Sequence, residues 1–484
     1  MKKVLFLLLV LLLPASAQAY TQIIDLFVDD GVDALRRGGV KELPREQERL
    51  DFSDPLSLDA KGSYRVDLFY EHQRTVRVFN GRRAGSHAFA QRLDTAVAAP
   101  FSLLDRKVTG SLAAGYGYDS IDVSATGTGN DISVASRERF AATKGGLYLN
   151  LFDLLKVGAS VLGTDYRDEP EVPVEAELAL TDFLKVGYKR SYLDLAGDFG
   201  LQRLGKSGLV PVHYGEENHE VYVAADYRGL FYGRYAVEPG DTGQRRFEGK
   251  LALPYALYLV GDCRQRDFSF FQDFTVDQRP GGYLRGEGSY RGYRAGIGID
   301  PSAKWNLEAN YRHWDFKSGG GGIANSSAVV DFWPSLLVGN YNHLYNLALS
   351  ADHYHLGTEY KGDRFIFGGG IQYIYLKTAA ELEYWRSVLF GFGRAGENTI
   401  ELETDRVKLL FLSLGLGYRW QHVAVSYSFG QFIPLGTRDN QAVEPESTEG
   451  AGGSGGKSDF GSIMDKISHN PGGNMQRFLL TVTY

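Results

Sequence analysis

A single cysteine, Cys263, is all that 484 residues contain. It excludes an internal disulfide and a thiolate metal cluster. Without a CxxCH the chain attaches no c-type haem itself. A basic excess is missing too. The 52 Lys and Arg against 59 Asp and Glu leave a net charge of -7 and no footprint for nucleic acid. After Leu13 no window reaches the roughly 18 uninterrupted apolar residues of a transmembrane helix. H-E-x-x-H does not occur, and Gly452 to Gly456, the one stretch that fits G-x-S-x-G, lies in a flexible Gly/Ala/Ser tract without the strand–turn–helix setting of a nucleophile elbow. Glycine runs such as Gly319 to Gly322 and Gly368 to Gly370 lack the strand–loop–helix setting and the lysine of a phosphate loop, so they read as loop and close-packed strand. His353 and His355 share a strand face, and His213 and His219 flank Glu216 and Glu217, but neither group supplies a positioned nucleophile. No enzyme activity, metal or cofactor is expected.

What is abundant points elsewhere. There are 59 glycines and 30 tyrosines, aromatics reach 13%, and methionine occurs only three times. That profile suits many strands and turns with aromatic belts better than helices around a core. Lys2 and Lys3, the apolar run Val4 to Leu13, and Ala15-Ser16-Ala17-Gln18-Ala19 read as a signal peptide over residues 1–19, so the mature chain should begin at Tyr20. Residues 20–60 differ from the remainder. Ile23, Ile24, Phe27, Val28, Val32 and Leu35 recur near helical spacing, Gly38-Gly39 ends the stretch, and a charged linker follows. This segment is expected to plug a lumen, dock on a periplasmic rim, or simply lead into the first strand.

From about residue 62 the apolar period becomes two. Val172, Val174, Ala176, Leu178 and Leu180 fall on one face, against Glu175, Glu177 and Thr181 on the other. Leu410, Leu412, Leu414, Leu416 and Tyr418 likewise alternate with Phe411, Ser413, Gly415, Gly417 and Arg419. Each stretch is about ten residues, the length a tilted strand needs to cross a bilayer. Tight turns are expected near 152–154, 182–183, 228–229, 254–255, 300–301, 362–363 and 420–421. Long polar loops are expected at 119–137, 196–216, 265–281, 317–340, 379–405 and 433–474. Residues 61–484 therefore predict an all-β chain, a transmembrane antiparallel up-and-down barrel of about 18 strands (between about 16 and 20), with a short N-terminal helical segment.

The chain ends Arg477-Phe478-Leu479-Leu480-Thr481-Val482-Thr483-Tyr484. Phe478, Leu480, Val482 and the terminal Tyr484 lie on one strand face. This ending resembles the C-terminal signal of Gram-negative outer-membrane proteins. The resemblance implies an outer-membrane location, contact with outer-membrane lipid, and recognition of the last strand by the barrel-assembly machinery. The long-chain fatty-acid channels carry an N-terminal hatch that the first ~40 mature residues match in length only, and its N-P-A triplet is absent here.

The inward face of such a barrel would carry Arg65, Asp67, Arg92, Asp94, Glu175, Glu177, Lys185, Lys189, Asp226, Arg234, Glu248, Lys250, Arg294, Glu308, Arg312 and Arg419. An isolated ion in a dry interior is expensive, so these charges imply either water or mutual pairing. The first alternative is a porin-like channel for passive passage of small hydrophilic solutes or ions. The second is a scaffold or secretion barrel whose lumen holds or exports a partner, a polysaccharide or a periplasmic electron-carrier protein.

Overall fold

The computed structural model describes residues 28–29, 32–43, 48–79, 82–98, 101–103, 106–126, 133–164, 170–202, 209–239, 243–276, 279–324, 338–388, 393–435 and 473–484. Period-two alternation becomes strand throughout. The strands are β1 (Tyr64–Phe79), β2 (Arg82–Ala98), β3 (Phe101–Leu103), β4 (Arg106–Thr126), β5 (Ser133–Leu151), β6 (Leu155–Thr164), β7 (Val174–Ala179), β8 (Leu184–Gln202), β9 (Leu209–Tyr227) and β10 (Phe231–Val237). There follow β11 (Arg245–Ala252), β12 (Leu257–Val276), β13 (Arg279–Ser302), β14 (Trp305–Ala324), β15 (Val338–Lys361), β16 (Phe365–Val388), β17 (Gly393–Trp420), β18 (Val423–Pro434) and β19 (Asn474–Thr483).

Every neighbouring pair is antiparallel, and β19 pairs back onto β1, so the sheet closes. Closure removes the edges that would otherwise leave backbone groups unsatisfied in lipid. β2 and β3 both pair with β4 and together form one pass through the wall. The described residues thus make an 18-strand barrel.

One end of the barrel holds the tight turns. At several of them the backbone turns through left-handed residues, as tight hairpin connections require: Phe152 and Asp153, Arg228 and Gly229, Tyr255 and Ala256, and Gln421. The expected turn at 300–301 lies later. The register of β13 against β14 shifts between Ile299 and Ser302, and Ser302 pairs with Trp305 across the turn. The opposite end differs from expectation more broadly. Most of the stretches read as long loops are strand. β12 and β13 run to Val276 and from Arg279, and β16 and β17 run to Val388 and from Gly393. Polar residues on both faces hide the alternation once a hairpin leaves the lipid. The 433–474 stretch lies mainly outside the described residues, as do the 1–19 leader and the first part of the predicted N-terminal helix.

Pro170 and Pro173 both precede β7, where a missing N–H cannot join the ladder. β7 is accordingly six residues long. Above the β6–β7 hairpin, β5 and β8 pair directly, Ser133–Arg137 against Asp198–Gln202.

Register sorts the two faces. On the outside, Ile297, Ala309, Leu356, Ile371 and Leu412 form one cross-strand row. Leu414 and Leu416 are two-thirds exposed, and large apolar side chains stand out around the whole circumference. An apolar surface on this scale belongs in lipid, not water. Aromatic rows flank it: Trp305, Tyr360, Phe367, Tyr418 and Tyr484 on the turn side, and Tyr311, Tyr354 and Tyr373 on the far side. This is the exterior of a membrane-spanning barrel.

Candidate functional site

By strand register the sixteen charged residues share the face turned away from the apolar band. They do not all sit deep inside. Asp226 and Arg419 are exposed at the turn-side rim, because each lies within two residues of a tight turn. Phe478, Leu480, Val482 and Tyr484 take the opposite, outward face of β19, while Met475, Arg477 and Leu479 point inward and are buried.

The described part of residues 28–60 lies within the lumen. Among the described residues its helix is α1 (Val32–Arg36). The Glu48 carboxylate caps it, accepting hydrogen bonds from the Val32 and Asp33 N–H groups at 2.8 and 2.9 Å. Four apolar contacts seat the segment at separate points of the wall. Val28 and Leu35 pack on Ile374, Phe411 and Met475. Val32 meets Phe69 and Leu479. Leu43 meets Tyr258 and Val260. Leu50, Phe52, Leu58 and Ala60 pack on Ala96, Ala113 and Tyr148. A fully buried Leu or Val contributes about 1.5–3 kcal/mol relative to exposure, so these anchors are substantial together.

Glycine on the inner wall makes room for this chain. A Cβ at Gly370 would overlap the Gly38 backbone, and one at Gly158 would overlap Pro55. The close-packed reading of Gly368 to Gly370 is thereby given a cause: the third glycine is where a second backbone crosses the strand.

Polar contacts complete the seat. The Arg36 guanidinium pairs with Glu359 of β15, Nε donating to Oε1 at 2.8 Å. Arg37 donates from Nη2 to Asn306 Oδ1 at 2.9 Å and lies 3.4 Å from Glu308. Arg312 is 3.4 Å from Asp29, whose carbonyl also accepts from Arg477 at 2.9 Å. Arg294 donates to the Lys41 carbonyl at 3.1 Å, Lys189 lies 3.1 Å from Asp54, and Arg65 donates to the Glu48 carbonyl at 2.6 Å. The Leu50 N–H reaches Asp67 at 2.6 Å, and Ser428 Oγ donates to the Val32 carbonyl at 2.9 Å. Burial pushes the Glu42 carboxyl up, but Arg37 and Lys361 outweigh it and hold the group below the usual carboxylate range. Asp54 behaves likewise: burial raises it, and the Lys189 ammonium beside it lowers it well below that range.

Other predicted charges pair within the wall. Lys185 meets Glu177 at 3.1 Å, Arg234 meets Glu220 at 2.7 Å, and Arg246 meets Glu248 at 2.9 Å. Lys144 lies 3.5 Å from Asp94. Lys250 stands over the Tyr258 ring at 4.2 Å, and Arg92 lies 5.9 Å from that of Phe69. Glu359 escaped the sequence reading, as did the N-terminal segment's own Asp29, Arg36, Arg37, Glu42, Glu48 and Asp54. Glu359 could have been found. It follows His353, His355 and Gly357 at period two on the inner face. The His355 Nε2 hydrogen-bonds the Arg37 carbonyl at 2.6 Å.

No family model matches this chain, and no curated protein matches it. Among solved structures it is similar to Pseudomonas aeruginosa OccK7 (OpdD), with 10% identity, 87% of this chain and 98% of the other covered, and a TM-score of 0.38. Acinetobacter baumannii OccAB3 gives 11% identity over 87% of this chain and 99% of its own, at a TM-score of 0.38. A TodX deltaS2S3 mutant, a monoaromatic hydrocarbon channel, gives 10% identity over 94% and 99%, at 0.40. The barrel itself rests on this chain's own strand pairing.

Proposed function

We propose that this chain is an outer-membrane channel for small hydrophilic solutes or ions, closed on its periplasmic side by its own residues 28–60. The observation that carries the reading is the match between that segment and a charged inner wall. Asp29, Arg36, Arg37 and Asp54 each meet an oppositely charged wall residue. Such a wall suits water once the segment moves, because its groups remain solvated or re-pair across the lumen. The tight-turn end, where both chain ends of the barrel lie, is periplasmic in this reading, and the long hairpins face outward. A leader cleaved after Ala19 and the outward Phe478, Leu480, Val482 and Tyr484 support export and delivery to the assembly machinery. A barrel that holds a polysaccharide or a periplasmic protein is less well supported, since the groups that would grip it already hold this chain.

Passage requires the segment to unseat. Solutes then diffuse past Arg294, Glu308, Arg312, Glu175 and Lys189, where both signs alternate and radius dominates selectivity. The test is planar-bilayer conductance of the refolded protein with and without residues 20–60. The full chain is expected to be mostly silent, and the deletion to give stable steps. In a salt gradient, Arg312→Glu and Lys189→Glu in the deletion should shift the reversal potential toward cation preference. Silence from both proteins, each still running faster on an unheated SDS gel than after boiling, would overturn the channel reading.

A further inference from the structure

On the outer face of β12 to β16 the apolar band ends in an ordered sequence of rows. Above the tyrosine row lies Tyr293, His313, Asp352 and Tyr375, each opposite the next across the ladder. His313 is fixed there by Asp352 at 2.9 Å and Asp315 at 3.0 Å, and the Tyr311 hydroxyl donates to Asp352 at 2.6 Å. The next row is Arg291, Asp315, Ser350 and Lys377. Charges on the lipid-facing side of a strand are tolerated at the interface and not at the bilayer midplane, so these rows mark headgroup level.

Immediately above them the same face opens into a concavity of about 1750 Å³. Register runs without a break from Ile297 to Tyr283 on β13 and from Leu307 to Ile323 on β14, so this surface is continuous with the lipid face and is not part of the lumen. Its floor is small, with Gly319, Gly321 and Ala348, and its walls carry Arg285 and Lys317 together with Asp267, Glu287, Glu381 and Asn346. Aromatic planes stand at its margins. Phe271 and Tyr283 stack at 5.6 Å, and Trp385 lies opposite with the Arg394 guanidinium 4.4 Å from its ring.

We infer that this concavity holds the saccharide headgroup of an outer-leaflet glycolipid whose acyl chains lie on the apolar rows below. The inference rests on the outer-membrane reading. Three features select this occupant. The surface continues the lipid interface upward at headgroup height. Its carboxylate and amide groups accept from and donate to sugar hydroxyls, while the aromatic planes suit the C–H faces of sugar rings. Arg285 and Lys317 answer the phosphates that such headgroups carry.

The test is binding of full-length protein in detergent to rough-type lipopolysaccharide and to lipid A without core sugars, followed by native mass spectrometry. The sugar-bearing lipid is expected to bind more tightly. Arg285→Glu with Lys317→Glu should weaken it about ten-fold, as removing two partly exposed cations from a phosphate implies. Asn346→Leu, a milder change, should weaken it less and leave lipid A binding unaltered. Equal binding of both lipids, or indifference to both variants, would overturn the inference. So would a dimer that forms without glycolipid and dissociates in the variants, which would give the surface to a second copy. A protein that fails to insert into vesicles or to shift on heating fails the outer-membrane reading instead.

Discussion

Two kinds of ion pair occupy one lumen. Arg36 and Glu359 join the N-terminal segment to the wall, and both side chains are only 1% exposed. Arg234 and Glu220 join wall to wall and are 22% and 14% exposed. The first pair is dry and the second is wet. A dry pair contributes little net stability over an apolar contact, yet removing one partner costs about 3–5 kcal/mol, because a charge is left buried. A pair that water reaches in part costs less to break, because the charge left behind keeps some of its solvation. The difference teaches which contacts define the closed state. Wall pairs persist whether or not the segment is seated, and segment pairs exist only when it is.

Deleting residues 20–60 should give the largest effect, turning rare openings into sustained conductance. Glu359→Gln comes next. It leaves Arg36 with Asp33 alone on that side and should weaken the seat by about 3–5 kcal/mol. Trypsin should then cut after Arg36 and Arg37, which are buried in the intact chain. Glu220→Gln serves as the comparison, expected to change trypsin access by less than about five-fold. Equal sensitivity of the two variants would erase the distinction between dry and wet pairs.

Much of the barrel was readable because lipid on one side and polar groups on the other enforce strict alternation. Leu410 to Tyr418 announces its own register. The hairpin extensions were not readable, since beyond the membrane neither face is constrained. Residues such as Ser269, Glu287 and Asn346 continue a ladder without showing it in sequence. The lumen charges were legible as a set but not as pairs. Half of each dry pair lies on a segment over three hundred residues away in the chain for Arg36 and Glu359, and no local pattern encodes that. Val28 and Leu35 were seen on an apolar stripe, but their partners Ile374, Phe411 and Met475 come from three different strands.

Steric change offers a subtler break. Gly370→Leu places a side chain where Gly38 crosses β16, with no charge altered. Overpacking of this kind costs about 1–3 kcal/mol, so opening should rise by less than in Glu359→Gln. Gly369 faces the opposite way, with a Cβ meeting Leu414 on the lipid side, so Gly369→Ala should leave conductance unchanged. An effect of equal size at both glycines would mean that strand stability, and not seating, sets the gate.

The smallest expected effect is that of mild acid. Glu42 and Asp54 both sit below the ordinary carboxylate range in the seated segment. A carboxyl lowered on folding contributes stability that is complete above its unseated pKa and is lost as pH falls through the seated one. The unseated values are those of ordinary carboxylates, near 4. Through these two groups the open probability of the full chain should rise as pH falls below about pH 4. Glu42→Gln removes one of these groups and should raise the basal opening at pH 7 while flattening the acid limb. Opening that begins near pH 6 instead would point to a histidine as the sensor, and His355, hydrogen-bonded to the Arg37 carbonyl, would be the residue to replace first.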